Sequence, residues 1–172
     1  MSDAATTKAR TPSVWRRATS KPGAAASAAA APAPAAPSDL IRVPLSVRWR
    51  DLDAFNHVNN STYLSYLEEA RLRWMMGLPG EWLDDQVAPV VAASTLNYRR
   101  PIEWPNDLVV ELFVERVGNS SVTIGHRIIG TGTEAPLYCD GNVVLVWIDR
   151  ASGQAAPLPA AVRASCTEPT LR

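Results

Sequence analysis

Asn60-Ser61-Thr62-Tyr63-Leu64-Ser65-Tyr66-Leu67-Glu68-Glu69-Ala70-Arg71-Leu72-Arg73-Trp74-Met75-Met76 is the stretch on which the fold turns. Leu64, Leu67, Leu72, Trp74 and Met75 follow helical spacing and mark a broad apolar surface. Asn59, Asn60 or Ser61 can supply the N-cap, and Gly77, Pro79 and Gly80 supply the stop. Glu69 precedes Arg73 by four residues and Glu68 precedes Arg71 by three, the favourable order for ion pairs along a helix. No other stretch reads as a long helix.

Upstream, Ile41, Val43, Leu45, Val47 and Trp49 alternate with Arg42, Pro44, Ser46, Arg48 and Arg50, the period of a half-buried strand. Pro44 removes one ladder donor, which predicts an edge position or a bulge. Downstream, strand-like runs cover the segment around Val90 to Tyr98, then Leu108 to Val117, Ser121 to Ile129 and Leu137 to Asp149. Gly118-Asn119 and Gly130 to Glu134 separate the last three at hairpin distances, so these should pair antiparallel. Val143 to Trp147 are all apolar, as in a central strand or an interface. Strand, helix, then four strands predicts an α+β domain: one long helix wrapped by a curved, mainly antiparallel five-stranded sheet.

Residues 1 to 38 contain fourteen alanines and five prolines and almost no large aliphatic side chains, so they read as a disordered Ala/Pro-rich tail ahead of a domain at 39–172. Arg16 and Arg17 precede the alanine run as in a secretory leader, but Pro32, Pro34 and Pro37 interrupt it. A transit peptide and a plain solvated extension both stay open. Five bases against one acid give this segment +4 and leave −4 on the rest, so no affinity for nucleic acid is expected. The two cysteines, Cys139 and Cys166, make neither a disulfide framework nor a zinc spacing, which points to a cytoplasmic setting. No run approaches the length of a membrane span, so no membrane insertion is expected.

Between the first strand and the helix lies Arg50-Asp51-Leu52-Asp53-Ala54-Phe55-Asn56-His57-Val58-Asn59-Asn60, dense in acid, imidazole and amide groups. The helix N-terminus carries unpartnered N–H groups and partial positive charge, so it can hold an oxyanion. If the loop folds back, the N–H of Asn60 can polarise a carbonyl while the Asp53 carboxylate lies opposite. Aspartates are ionised at neutral pH, and Asp53 can then act as nucleophile or as the base that activates water.

Asp51-Leu52-Asp53, His57-Val58-Asn59-Asn60, Tyr63-Leu64 and Tyr66-Leu67-Glu68-Glu69-Ala70-Arg71 resemble the signature of the 4-hydroxybenzoyl-CoA thioesterase family of hotdog proteins. The likeness continues through Tyr98 to Asp107 and Asp149 to Pro159, covering roughly residues 41 to 160. It implies a hotdog fold, a homodimer or homotetramer, an acyl-CoA or acyl-carrier-protein substrate, no cofactor and no metal. It carries the catalytic carboxylate onto Asp53 and the polarising N–H onto or beside Asn60. Plant acyl-carrier-protein thioesterases are similar in Asp-Leu-Asp and His-Val-Asn-Asn, but place a functional Asn where this chain has Phe55.

Each of these residues also has a plainer role. Asp51 reads as a turn residue and Asn59 as a cap that borders the substrate. His57 either orients Asp53 and water or anchors the loop. Arg99 and Arg100 either meet the phosphates of coenzyme A or end a strand. His126 reads as a satisfied core or interface residue, and Trp82, Leu83 and Trp104 as core or acyl-channel lining. The Asp-x-Asp pair lacks the further carboxylates of a cation site. An acyl-thioester hydrolase fits best; a non-catalytic acyl-thioester binder and a hotdog hydratase are the competing functions.

Overall fold

The structure, a computed structural model, describes residues 38–80 and 82–167. The tail expected over 1–38 lies outside them except for Ser38. The chain order is β1 (Ser38–Ser46), a 3-10 turn (Trp49–Asp51), α1 (Asn60–Met76), β2 (Val87–Tyr98), β3 (Asp107–Val117), β4 (Ser121–Gly130), β5 (Leu137–Asp149) and α2 (Ala160–Thr167). All five strands join one antiparallel sheet in the order β1-β3-β4-β5-β2.

Pro44 does sit on an edge strand, where a missing donor costs least, and a bulge lies nearby between Asp39 and Ile41. β1 opens at Ser38, three residues before the alternation becomes legible. It closes at Ser46, so Trp49 leaves the inner row and is 74% exposed. β5 is internal, with Val143, Leu145 and Trp147 buried and Val144 and Val146 half-buried on the other face. β2 crosses to the far edge and pairs with β5.

α1 lies on one face of the sheet and buries Tyr63, Tyr66, Leu67, Ala70, Arg71, Trp74 and Met75. Leu64 and Leu72, expected on the apolar surface, are each 45% exposed because the two tyrosines take the inner positions. Val43, Leu108, Val110, Leu112, Val122, Ile124, Ile128, Val143, Leu145 and Trp147 face this helix as a continuous core. Truncating a fully buried leucine such as Leu67 in such a core typically costs about 2–5 kcal/mol.

One long helix does not complete the description. α2 is a second, eight-residue helix that buries Val162 and Cys166, four residues apart. Its Ser165 hydroxyl accepts from the Trp74 indole at 3.1 Å, tying the end of the described chain to α1. A two-contact apolar face is too short to register as a period. Among the described residues no helix is long and apolar enough to cross a membrane.

Candidate active site

The loop between β1 and α1 folds back on itself. Leu52 and Val58 form an antiparallel bridge, and the N–H of Asp53 donates to the carbonyl of His57 at 2.7 Å. Asn56 takes a left-handed conformation (φ 61°) at the turn, which Asn tolerates better than most residues. The N–H of Asn59 donates to the Asp51 carbonyl and that of Val58 to the Ile102 carbonyl, each at 2.8 Å. Asp53 and the first residue of α1 are thereby held at the same end of the helix.

Asp51 is the anchor. It is 5% exposed and accepts from the Tyr66 hydroxyl at 2.7 Å, the Arg48 N–H at 2.9 Å and the Arg48 guanidinium at 3.2 Å. Burial pushes its carboxyl up, but the bonds from Tyr66 and Arg48 outweigh burial and hold it below the ordinary carboxylate value. A carboxylate with three donors is fixed in place.

Asp53 is arranged differently. One oxygen, Oδ1, accepts from the N–H groups of Phe55 (2.8 Å) and His57 (3.2 Å), which orients the carboxylate by its own loop. Among the described residues Oδ2 has no donor within hydrogen-bond distance.

Asn59 is the N-cap: its side chain accepts from the N–H and the hydroxyl of Ser61, at 2.9 and 2.8 Å. The N–H of Thr62 donates to the Asn59 carbonyl at 2.8 Å. Of the opening turn, the N–H of Asn60 is left with no protein acceptor among the described residues.

His57 meets Asp53 through the backbone in both directions, and its ring faces outward, with Nε2 3.9 Å from the Glu103 carboxylate. Tyr98 and Glu103 are site neighbours that sequence reasoning missed. The Tyr98 hydroxyl donates to the Asn60 carbonyl at 3.3 Å, and its ring packs edge-on against Tyr63, with centroids 5.0 Å apart. Neither contact has a local sequence signal, because both arise where the end of β2 passes the start of α1.

Arg99 grips Asp140 with two bonds of 2.8 and 3.0 Å, so its guanidinium is engaged within the chain. The Arg100 side chain is exposed and makes no ion pair among the described residues. Both N–H groups donate to the Tyr138 carbonyl. The two arginines follow Tyr98, whose hydroxyl bonds the Asn60 carbonyl at the head of α1. Along α1, Glu69 pairs with Arg73 as its spacing predicts, whereas Glu68 and Arg71 do not come within ion-pair distance.

His126 departs from expectation. It is 1% exposed on the helix-facing side of β4, but neither ring nitrogen has a hydrogen-bond partner. Trp82 packs against the core and its carbonyl accepts from the Trp147 indole, whereas Leu83 and Trp104 are each 46% exposed. No three His, Cys, Asp or Glu side chains cluster as metal ligands among the described residues.

Residues 47–165 match the profile of the Thioesterase-like superfamily. The chain belongs to that superfamily. Among its relatives, the long-chain acyl-CoA thioesterase FadM of Escherichia coli is 28% identical over 72% of this chain and 94% of its own length. A thioesterase of Thermus thermophilus solved with coenzyme A and Zn is 35% identical, with a TM-score of 0.63 over 74% of this chain and 97% of that one. A Xanthomonas campestris structure, provisionally described as an acyl-CoA thioesterase, is 61% identical, with a TM-score of 0.63 over 69% of this chain and 98% of that one. As a member of this hotdog-type superfamily, the chain has the family that its loop and helix motif resembles.

Proposed function

We propose that this protein hydrolyses acyl-CoA thioesters to a free acid and a thiol, with Asp53 as the reacting carboxylate and the N–H of Asn60 holding the oxyanion. One observation carries the reading. The folded-back loop leaves two groups uncommitted at the end of α1: the second carboxylate oxygen of Asp53 and the first N–H of the helix. The N–H groups of Asp53, Phe55, Asn56, His57, Val58, Asn59, Ser61 and Thr62 around them are already bonded.

The oxyanion role follows from the partial positive charge and aimed donor of a helix N-terminus, which act on charge as it develops. Asp53 either attacks the carbonyl, giving a mixed anhydride and releasing the thiolate, or removes a proton from the attacking water. His57 is assigned to hold the loop, since only its backbone touches Asp53. Arg100 is assigned to the phosphates of coenzyme A, and Asn59 to shaping the donor turn. Acyl-carrier protein is a second thiol carrier for the same site.

A homodimer or homotetramer is proposed. β2 offers an unpaired outer edge twelve residues long, and Val91 and Tyr98 on it are 54% and 48% exposed. Addition of a second copy's strand there would satisfy the free ladder groups.

The test is release of free thiol from a panel of aromatic, short, medium and long acyl-CoAs and acyl-carrier proteins. Asp53→Asn keeps the loop's acceptor and is expected to lower kcat by roughly a hundredfold or more. Unchanged hydrolysis in that variant defeats the assignment, and absence of hydrolysis across the panel points to a binder. The protein's own thiols give a small background, because Cys139 and Cys166 are buried and burial pushes both up to about 11.

A further inference from the structure

Tyr98, the last residue of β2, touches the first turn of α1 twice. Its hydroxyl donates to the Asn60 carbonyl at 3.3 Å, and its ring meets Tyr63 edge-on with centroids 5.0 Å apart. Tyr63 is buried in the core, whereas Tyr98 stays half open to solvent. At 3.3 Å the bond is long for a hydroxyl donor, so the ring carries part of the bracing.

What aims Tyr98 lies on the other side of the sheet. Asn97 and Arg99, its two chain neighbours, both reach Asp140 on β5. The Asn97 amide donates to Oδ1 at 2.9 Å, and the Arg99 guanidinium donates to Oδ2 at 2.8 Å and to Oδ1 at 3.0 Å. Residues two apart on a strand share a face, so a clamp on both neighbours turns the side chain between them to the opposite face, that of α1. The backbone is held as well: Tyr98 pairs with Cys139, and the N–H groups of Arg99 and Arg100 both donate to the Tyr138 carbonyl. The bond from Arg99, ahead of that from Asn97, holds the Asp140 carboxyl below its ordinary value, so the clamp is ionised throughout the neutral range.

The residue that Tyr98 braces is the one whose N–H the hydrolase reading uses. Helix ends fray, and a donor that drifts does little for charge developing at a fixed point. Asn60 is pinned on its N-terminal side, where the Asn59 N–H donates to the Asp51 carbonyl and the Asn59 carbonyl accepts from Thr62. Tyr98 supplies a pin on the C-terminal side, at the Asn60 carbonyl.

We propose that Tyr98 is a positioning residue for the Asn60 N–H, aimed by an Asp140 clamp on the face of the sheet turned away from α1. This deepens the hydrolase reading and rests on it for the identity of the donor. Asp140, Asn97 and Arg99 thereby act on the reacting end through one side chain.

The experiment measures thiol release from the acyl-CoA of the panel that turns over fastest, with the full-length protein and its variants. Tyr98→Phe keeps the packing on Tyr63 and is expected to lower kcat about fivefold. Tyr98→Leu, which loses ring and hydroxyl, is expected to lower it about thirtyfold, with KM within about twofold of its starting value in both. Asp140→Ala is expected to lower kcat about tenfold by itself and less than about twofold on top of Tyr98→Leu, because the clamp acts through that side chain. A plain loss of stability acts additively instead.

A second readout does not depend on turnover. S-(2-oxotridecyl)-CoA, with a methylene between sulfur and a carbon-13 carbonyl, has no thioester to cleave. Its carbonyl resonance is expected to move downfield on binding to the unaltered protein, and about half as far on binding to Tyr98→Phe at equal affinity. Unchanged kcat and KM in Tyr98→Leu overturn the proposal while the hydrolase reading stands. A loss carried by KM, or additive effects of Asp140→Ala and Tyr98→Leu, overturns it as well. If no acyl-CoA is hydrolysed, the hydrolase reading falls and the ketone decides alone. A downfield shift that shrinks in Tyr98→Phe then supports the positioning role, and the same resonance in both proteins overturns it.

Discussion

The Tyr66 hydroxyl donates to the buried Asp51 carboxylate at 2.7 Å, joining the second turn of α1 to the loop that presents Asp53. The bond spans fifteen residues and is one of three that Asp51 accepts. Tyr66→Phe removes the hydroxyl and little else. It should cost about 1.5–3 kcal/mol in urea unfolding, as for a hydrogen bond to a charged group. It should also lower kcat more than it raises KM, because the loop loses its tie to the helix.

A second prediction concerns acid. The His126 imidazole is pushed down to about 4, first by burial and then by Arg71, against an ordinary 6.5. Above pH 6.5 both folded and unfolded chains carry it neutral. As pH falls, the unfolded chain takes up the proton first, so stability drops between pH 6.5 and 4 by about 3 kcal/mol. Asp51 works in a lower window: its folded carboxyl lies below 3.8, so its contribution is present above that value and lost as pH falls further. His126→Leu should flatten the upper window only, as read from urea midpoints at a series of pH values.

Gly141 should tolerate no side chain. A Cβ there would overlap the Thr95 carbonyl oxygen across the seam between β2 and β5. Gly141→Ala is therefore expected to cost about 1–3 kcal/mol by overpacking, and to unpair the end of β2 beside the active site. Gly132 is the control: nothing lies within 4 Å of a Cβ there, although its φ of +104° disfavours one. Gly132→Ala should lower the thermal midpoint without changing hydrogen exchange in β2.

Arg100 should be felt in KM. Arg100→Ala is expected to raise KM for acyl-CoA about tenfold, with a smaller effect on a thioester truncated to pantetheine, since guanidinium recognises phosphate. The gap between the two substrates should narrow as salt is added.

Much of this domain could be read before folding was considered. The limits of α1 follow from Asn59 and Gly77, and the hairpins β3–β4 and β4–β5 from their glycine turns, because these signals act within a few residues. What escaped was decided at long range. The segment around Val90 to Tyr98 reads as a strand, but nothing in it names β5 as its neighbour. Leu64 and Leu72 look inward until Tyr63 and Tyr66 take the inner positions. α2 buries too few residues to show a period. At the site, Asp53 and Asn60 were legible as a loop acid and a helix start. The opposite states of Asp51 and Asp53, one fully bonded and one half free, depend on Tyr66 and Arg48, which the loop sequence does not contain. His126 was legible as buried, but its lack of a partner is a property of what surrounds it.

The twelve residues of β2, Val-Ala-Pro-Val-Val-Ala-Ala-Ser-Thr-Leu-Asn-Tyr, contain no charge, and the strand stands at the rim of the sheet. Lysines, inward charges and bulges are how solitary proteins keep such rims from recruiting strangers, and only Pro89 and the irregularity at Ala92 serve that end here. A newly made copy of this domain is therefore in a race. If the proposed homo-oligomer forms through this rim, then until it is capped the same backbone groups accept any extended strand, and dilution or a mutation that delays pairing is felt first as clumping rather than as lost catalysis.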